Sequence, residues 1–158
     1  MISIEDLKQI IMLSYLTDEM LEKLIPITEL LHFDKREVIF GQGEKSQRFY
    51  MLKEGKVILE QKITDKIAVS VSAIKPGNSF GWSAMLDEEE YTIDAVCADP
   101  CKVFSLRDDN MKALFEKDHS LGYIVSQRLL HIIKRRYDIR TEQFLKTIRH
   151  HPEISSLL

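Results

Sequence analysis

The sequence predicts an α+β domain that is mainly β, in which short helices come first and a long helix comes last. Apolar residues recur at helical spacing near both ends of the chain, whereas in the middle they alternate with polar residues in short runs. Turn signals separate those runs at intervals of about 8 to 12 residues. A series of short strands with such turns is typical of a β-sandwich or a β-barrel.

Residues 1–27 contain two predicted helices. Ser3, followed three residues later by Asp6, forms a capping-box-like pattern, and Thr17 is suited to cap a second helix. Pro26 is the predicted stop. Apolar residues follow each cap at helical spacing: Ile4, Leu7, Ile10 and Ile11 in the first helix, and Met20, Leu21, Leu24 and Ile25 in the second.

Residues 28–107 contain the predicted strands, at 29–33, 37–40, 49–52, 57–63, 67–74, 91–98 and 102–106. Gly43, Gly55 and Gly77 fall between them, where tight turns require a positive φ. The strands therefore follow one another through short connections, as in a closed or two-layered β structure.

Residues 108–150 return to helical spacing, with Asp108 as the predicted N-cap of a first helix and a second helix from about 120 to 150. The long helix carries two apolar stripes, the first of Leu121, Val125, Leu129 and Ile132, the second of Leu130, Ile133, Tyr137 and Phe144. One stripe is enough to pack the helix on its own domain, so the second predicts a homodimer interface. The alternative is one helix in a broad groove of its own domain. Arg140 interrupts the second stripe, so any coiled coil would be short.

The bulk composition predicts one domain spanning residues 1–158, with a tail at 151–158 after Pro152. Hydrophobic residues make up 44% of the 158 residues, and the net charge of −3 disfavours a dedicated nucleic-acid-binding protein. Cys97 and Cys101 cannot form a disulfide framework and are expected to be buried free thiols. No signal peptide or membrane-spanning run is visible, so we expect a cytoplasmic protein.

Catalytic and metal-binding motifs are not visible in the chain. The five histidines are not clustered on predicted strands, so we expect no metal site. No nucleophile–base motif or phosphate-binding glycine loop occurs, so we expect no enzyme. The run Lys134-Arg135-Arg136 makes the last helix basic; a solvated helix face is the simpler interpretation, and contact with an acidic partner or nucleic acid is the alternative.

Three segments resemble the cyclic-nucleotide-binding family, which includes catabolite activator proteins and kinase regulatory domains. Residues 38–44 (Val-Ile-Phe-Gly-Gln-Gly-Glu) and 49–57 (Phe-Tyr-Met-Leu-Lys-Glu-Gly-Lys-Val) look like its first two hairpins, and residues 76–81 (Pro-Gly-Asn-Ser-Phe-Gly) look like the approach to its phosphate-binding cassette. The resemblance covers about residues 5–145. It implies a double-stranded β-helix, or jelly-roll barrel, with a regulatory role. Only about ten residues follow the long helix, so we expect no DNA-binding domain.

The resemblance places the ligand at a short helical turn that begins at Gly81, where backbone N–H groups can bind an anion. Family members that bind ligand have a glutamate after this glycine and an arginine about nine residues later; this chain has Trp82 and Tyr91 instead. Losing the arginine alone weakens a cyclic nucleotide about 10- to 150-fold. The acidic run at 87–90 would also repel a phosphate. We therefore expect that cyclic AMP is not bound in the usual way.

Three interpretations of the pocket stay open. In the first, a neutral or weakly anionic planar ligand stacks on Trp82 and Tyr91, hydrogen-bonds to nearby hydroxyls, and moves the last helix; its predicted binding residues are Gly81, Trp82, Ser83, Ala84, Tyr91 and Thr92. In the second, Trp82 fills the pocket, and the domain is a dimerisation module that acts through a protein effector. In the third, Arg48 or a lysine replaces the lost arginine.

Overall fold

Two four-stranded antiparallel sheets pack face to face and form a jelly-roll barrel, as the sequence predicted. The structure, a computed structural model, describes residues 1–87 and 89–158. The first sheet has the order β1-β8-β3-β6 and the second β2-β7-β4-β5. The strands are β1 (Thr28–Phe33), β2 (Val38–Phe40), β3 (Arg48–Glu54), β4 (Val57–Thr64), β5 (Ile67–Ile74), β6 (Ser79–Phe80), β7 (Asp94–Cys97) and β8 (Cys101–Arg107).

The α-helices of the described residues are α1 (Ile4–Lys8), α2 (Asp18–Leu24), α3 (Asp108–Lys117), α4 (His119–Arg149) and α5 (Pro152–Ser155). The predicted caps of the first two are confirmed: Asp6 N–H donates to Ser3 Oγ at 3.1 Å, and Met20 N–H donates to Thr17 Oγ1 at 3.3 Å. Each cap satisfies a backbone donor that the first helical turn leaves free.

The hydrophobic core has two parts. One lies between the sheets and includes Phe40, Leu52, Val57 and Val103. The other lies between the first sheet and the helices, and it includes Leu7, Phe104 and Leu121. The two parts of the core lie on opposite faces of the first sheet, because successive side chains of a strand point to opposite faces. In β8, for example, Val103 belongs to the first part and Phe104 to the second.

The long helix α4 buries its first stripe and exposes most of its second. Leu121, Val125 and Leu129 are buried against the helix-side core, as predicted, and each such side chain contributes about 1.5–3 kcal/mol when fully buried. Asp118 precedes the helix; its carboxylate accepts from Leu121 N–H at 3.0 Å and pairs with Lys23 of α2 at 2.8 Å. The N-terminal helices therefore hold the start of α4.

Three predictions about local structure are wrong. Asp108 does not cap α3: it is the first helical residue, and the N-cap, Arg107, makes no side-chain cap. The strand predicted at 91–98 begins only at Asp94, because Tyr91 is held in the preceding loop. The first helix ends at Lys8, so Ile10 and Ile11, which were predicted to belong to it, lie beyond its end, and Ile11 begins a separate 3₁₀ turn. The tail includes a one-turn helix, in which Pro152 supplies a first position that needs no N–H donor.

Candidate functional site

Gly81 fixes the start of the site. Its φ is +76°, and an added Cβ would lie 3.0 Å from the Tyr50 ring and 3.3 Å from the Arg48 carbonyl oxygen. Only glycine adopts this conformation at such close approach without strain. The chain then enters a 3₁₀ turn, Trp82–Met85, in which Ala84 N–H donates to the Gly81 carbonyl at 3.3 Å. The predicted helical turn is therefore present.

A cavity of about 80 Å³, here called the Trp82 pocket, opens between this turn and the loop before β7. Five of the six predicted binding residues border it: Gly81, Trp82, Ser83, Tyr91 and Thr92. Phe40 and Leu59 form part of its apolar wall, and Arg140 reaches it from α4. Ala84 does not border the pocket, because its side chain is buried in the helix-side core.

Tyr91 contributes a ring edge rather than a free hydroxyl. Its ring stacks on Phe40 with 3.8 Å between centroids, and its hydroxyl donates to the Arg48 carbonyl at 2.5 Å and accepts from Arg48 N–H at 3.1 Å. Burial raises the pKa of this phenol above its ordinary value. The backbone of β3 therefore already accepts from and donates to the Tyr91 hydroxyl.

Trp82 lies between the pocket and α4. Its ring is half-buried, packs against the helix-side core, and carries the Arg136 guanidinium 4.8 Å from its centroid. A guanidinium at this distance over an indole face makes a cation–π contact. Trp82 therefore connects the 3₁₀ turn directly to the long helix, while leaving the cavity beside it open.

Comparison with known proteins decides the family. The sequence profile of the family described as "Cyclic nucleotide-binding domain" matches residues 30–118, more than half of the chain. The chain belongs to this family.

Relatives of this cyclic nucleotide-binding domain include regulated kinases and bacterial receptors. It is 25% identical over 115 residues to the cGMP-dependent protein kinase, isozyme 1, of Drosophila melanogaster, covering 71% of this chain and 15% of the kinase. It is 28% identical over 95 residues to the cyclic AMP receptor protein of Thermus thermophilus, covering 58% of this chain and 44% of the receptor. The chain thus spans less than half the length of both.

A solved structure agrees with the fold. The crystal structure of a cyclic nucleotide-binding domain from Methylobacillus flagellatus superposes with a TM-score of 0.79 at 18% identity, covering 91% of this chain and 81% of that one. At this identity the likeness establishes the jelly-roll fold of the domain and no more.

Arg48 does not take the place of the missing arginine in this cyclic nucleotide-binding domain. Its guanidinium pairs with Glu29 at 3.2 Å and donates to Ser105 Oγ at 3.0 Å, and it does not border the Trp82 pocket. The cation that does border the pocket is Arg140. The sequence shows Arg140 as a break in an apolar stripe and as one of the basic residues of the last helix, and its spacing of four residues from Arg136 places both on one helix face.

Arg136 is unusually placed for an arginine. Its Nη2 donates to the Ser79 carbonyl at 2.5 Å, while its Nη1 is buried with no hydrogen-bond partner. Burial, and then the positive charge of Arg140, lower the pKa of the Arg136 guanidinium to about 10. Within the described ranges, 1–87 and 89–158, neither Arg136 nor Arg140 forms an ion pair.

The acidic run at 87–90 is only partly available to repel an anion. Asp87 pairs with Lys112 at 2.8 Å, and this hydrogen bond lowers the pKa of its carboxyl. Glu89 and Glu90 are exposed and border a separate cavity, while Glu88 lies outside the described residues. The buried Asp94 accepts from Gln42 N–H at 2.7 Å and lies 3.6 Å from Lys62 Nζ, so its charge is already compensated.

Other site types find no support in the described part of the chain. Among residues 1–87 and 89–158, no cluster of histidine, cysteine, aspartate or glutamate is arranged to hold a metal ion. No helix there combines the length and apolarity that a membrane crossing requires. Cys97 and Cys101 are buried free thiols, as predicted.

Proposed function

We propose that this domain senses a small molecule in the Trp82 pocket and does not bind cyclic AMP in the usual way. The observation that carries the proposal is the position of Trp82, which borders the open cavity on one side and contacts Arg136 of α4 on the other. The family assignment supports a nucleotide-like or planar ligand. Gly81, Ser83 and Thr92 supply small or polar groups around the same cavity.

The signal passes from the pocket to α4 through the contact between indole and guanidinium. A ligand that displaces the Trp82 ring changes its contact with Arg136, and with it the relative stability of two positions of the helix. The role is regulatory rather than catalytic. A protein effector would then read the position of α4.

The output surface is the exposed face of α4, which we propose binds the same face of a second copy. Tyr123, Leu130, Tyr137 and Phe144 recur every seven residues and are each more than half exposed. Apolar residues that recur every seven positions lie along one side of a helix and form an exposed stripe that a second helix can cover. Leu130, Tyr137 and Phe144 come from the predicted dimer stripe; Ile133, its fourth member, packs partly on the domain's own core.

A ligand-free dimerisation module is the second candidate. The size of the cavity favours it, because about 80 Å³ is small beside the roughly 300–1,000 Å³ of typical ligand sites. Phe40 and Tyr91 already stack on one another inside the barrel, where a planar ligand would otherwise find an aromatic face.

The test uses Trp82, the single tryptophan of the chain, as the reporter. Its fluorescence and the melting temperature are followed against cyclic mononucleotides, cyclic dinucleotides, nucleosides and purines. A sensor gives a saturable fluorescence change with a matching rise in melting temperature for at least one compound class.

A matched pair of variants assigns the signal to the pocket. Ser83→Ala, which removes a hydroxyl at the cavity, should weaken the response, while Ser126→Ala, on the exposed surface of α4, should not. A flat response across the panel would reject the sensor and favour the dimerisation module.

A further inference from the structure

We propose that Arg140, supported by Arg136, is the anion-binding group of the Trp82 pocket, so that the ligand carries a phosphate or carboxylate joined to a planar ring. This inference rests on the proposed sensing function. The anion would then bind to the long helix rather than to the turn that begins at Gly81. The ligand would be anionic, whereas the sequence led us to expect a neutral or weakly anionic one.

The first support is a pair of cations without a counter-charge. Arg136 and Arg140 are four residues apart on α4, where like charges repel one another, and neither has an ion-pair partner among the described residues. The buried Nη1 of Arg136 also has no hydrogen-bond acceptor. Unpaired buried donors are rare, because each one loses its hydrogen bond to water. Arg140 is exposed and Arg136 is half-buried, so an anion at this place would pair with Arg140 and offset the charge of Arg136.

The second support is where the two side chains lie. A smaller cavity of about 50 Å³ is bordered by both Arg136 and Arg140, and it shares Arg140 and Leu59 with the Trp82 pocket. Arg140 therefore stands at the junction of the two spaces. Trp82 borders only the first space, Arg136 only the second, and Arg140 both, so a ligand that spans the junction would contact the indole and both guanidiniums.

The third support is that no other cation borders the pocket among the described residues. The Tyr91 hydroxyl is bound to the backbone of β3, and Arg48, which lies outside the pocket, is paired with Glu29. The other polar side chains at the pocket, those of Gln61, Ser83 and Thr92, are neutral. Arg140 is thus the one charged side chain that borders the Trp82 pocket among the described residues, and a bidentate guanidinium suits a phosphate or a carboxylate.

The experiment compares charged and uncharged probes of the same ring. Cyclic AMP and cyclic GMP are titrated against adenosine and guanosine by Trp82 fluorescence, in wild type, Arg140→Gln, Arg140→Lys and the control Arg135→Gln. Arg135 is exposed on the same helix and does not border the pocket. In parallel, the Nε–Hε resonances of the arginines are followed by NMR during a titration with inorganic phosphate.

We expect the nucleotides to bind more tightly than the nucleosides, and Arg140→Gln to weaken the nucleotides about 10- to 100-fold while leaving the nucleosides unchanged. Arg140→Lys should retain part of the preference and Arg135→Gln all of it. Phosphate should shift the Arg140 and Arg136 resonances to saturation even if neither nucleotide is the natural ligand.

The failures of the two proposals are distinguishable. Equal binding of nucleotides and nucleosides, or a preference that survives Arg140→Gln, overturns the anion site and leaves the sensor standing. No response to any compound of the full panel, cyclic dinucleotides and purines included, together with unmoved arginine resonances in phosphate, overturns both. Saturable phosphate shifts confined to Arg140 and Arg136 support the anion site and direct the search to other phosphate or carboxylate ligands.

Discussion

Replacing Gly81 with alanine should destabilise the domain more than the same substitution in an open turn. Alanine at the φ of +76° costs about 1–2 kcal/mol, because the Cβ approaches the backbone in the left-handed region. The added methyl would also lie 3.0 Å from the Tyr50 ring and 3.3 Å from the Arg48 carbonyl oxygen, and overpacking of this kind costs about 1–3 kcal/mol more. Together they lower the free energy of unfolding by about 2–5 kcal/mol.

Gly43→Ala is the matched control, because its φ is +87° and nothing lies within 4 Å of the added Cβ. It should cost only the backbone part, about 1–2 kcal/mol. Urea unfolding measures both free energies, and with a slope of about 2 kcal/mol per molar the extra cost at Gly81 moves the midpoint by about 0.5–1.5 M. Equal midpoints for the two variants would refute the reasoning that the 3₁₀ turn packs tightly against β2 and β3.

Three further predictions concern stability and assembly. Gly55→Ala should prevent folding or lower the free energy of unfolding by about 3 kcal/mol or more, because the added Cβ would overlap a backbone carbonyl oxygen. Circular dichroism with thermal melting measures this loss, and a melting curve like that of the wild type would contradict it. Leu130→Glu should convert the proposed dimer to a monomer, as measured by light scattering at a fixed protein concentration. Ile63→Glu, at a similarly exposed position on the β4–β5 hairpin, should leave the dimer intact. A dimer that survives Leu130→Glu excludes this face of α4 as the interface. The hydrogen bond from Lys53 is the main cause that lowers the pKa of Asp6 from 3.8 to about 2. The charged Asp6 should therefore raise the free energy of unfolding by about 1 kcal/mol over Asp6→Asn above pH 4, and this difference should vanish as the pH falls through 2. A difference in unfolding free energy that does not change with pH would show that packing rather than charge is responsible.

Much of the fold could be predicted from local patterns. The caps at Ser3 and Thr17 depend on residues three positions apart, so the sequence displays them directly. The buried stripe of α4 follows from helical spacing alone. The cap expected at Asp108 failed because an acidic residue is equally suited to the first turn of a helix, where the helix dipole favours it.

The pocket was harder to predict, because its chemistry depends on contacts between distant segments. The hydroxyl of Tyr91 is bound to the backbone of Arg48, 43 residues away, so a residue that borders the pocket as predicted uses its polar group within the barrel. Arg140 borders the cavity from a helix whose position relative to the barrel no local pattern specifies. The one local signal was its spacing from Arg136, which places two unpaired cations on one face.

The attachment of α4 gives it the mechanics of a lever. The helix has 31 residues, and its first third is fixed by buried leucines and by Asp118, which pairs with Lys23 of α2. Beyond Arg136, which contacts Trp82, nearly every residue is exposed, so about 13 residues, or roughly 20 Å, extend past this contact. A tilt of about 10° at the Trp82–Arg136 contact would move the end of the helix by roughly 3 Å, which lies between the 1–2 Å helix shifts and the one-turn steps of about 5.4 Å in known switches. A displacement that is small at the cavity would thus be larger at the exposed end of the helix.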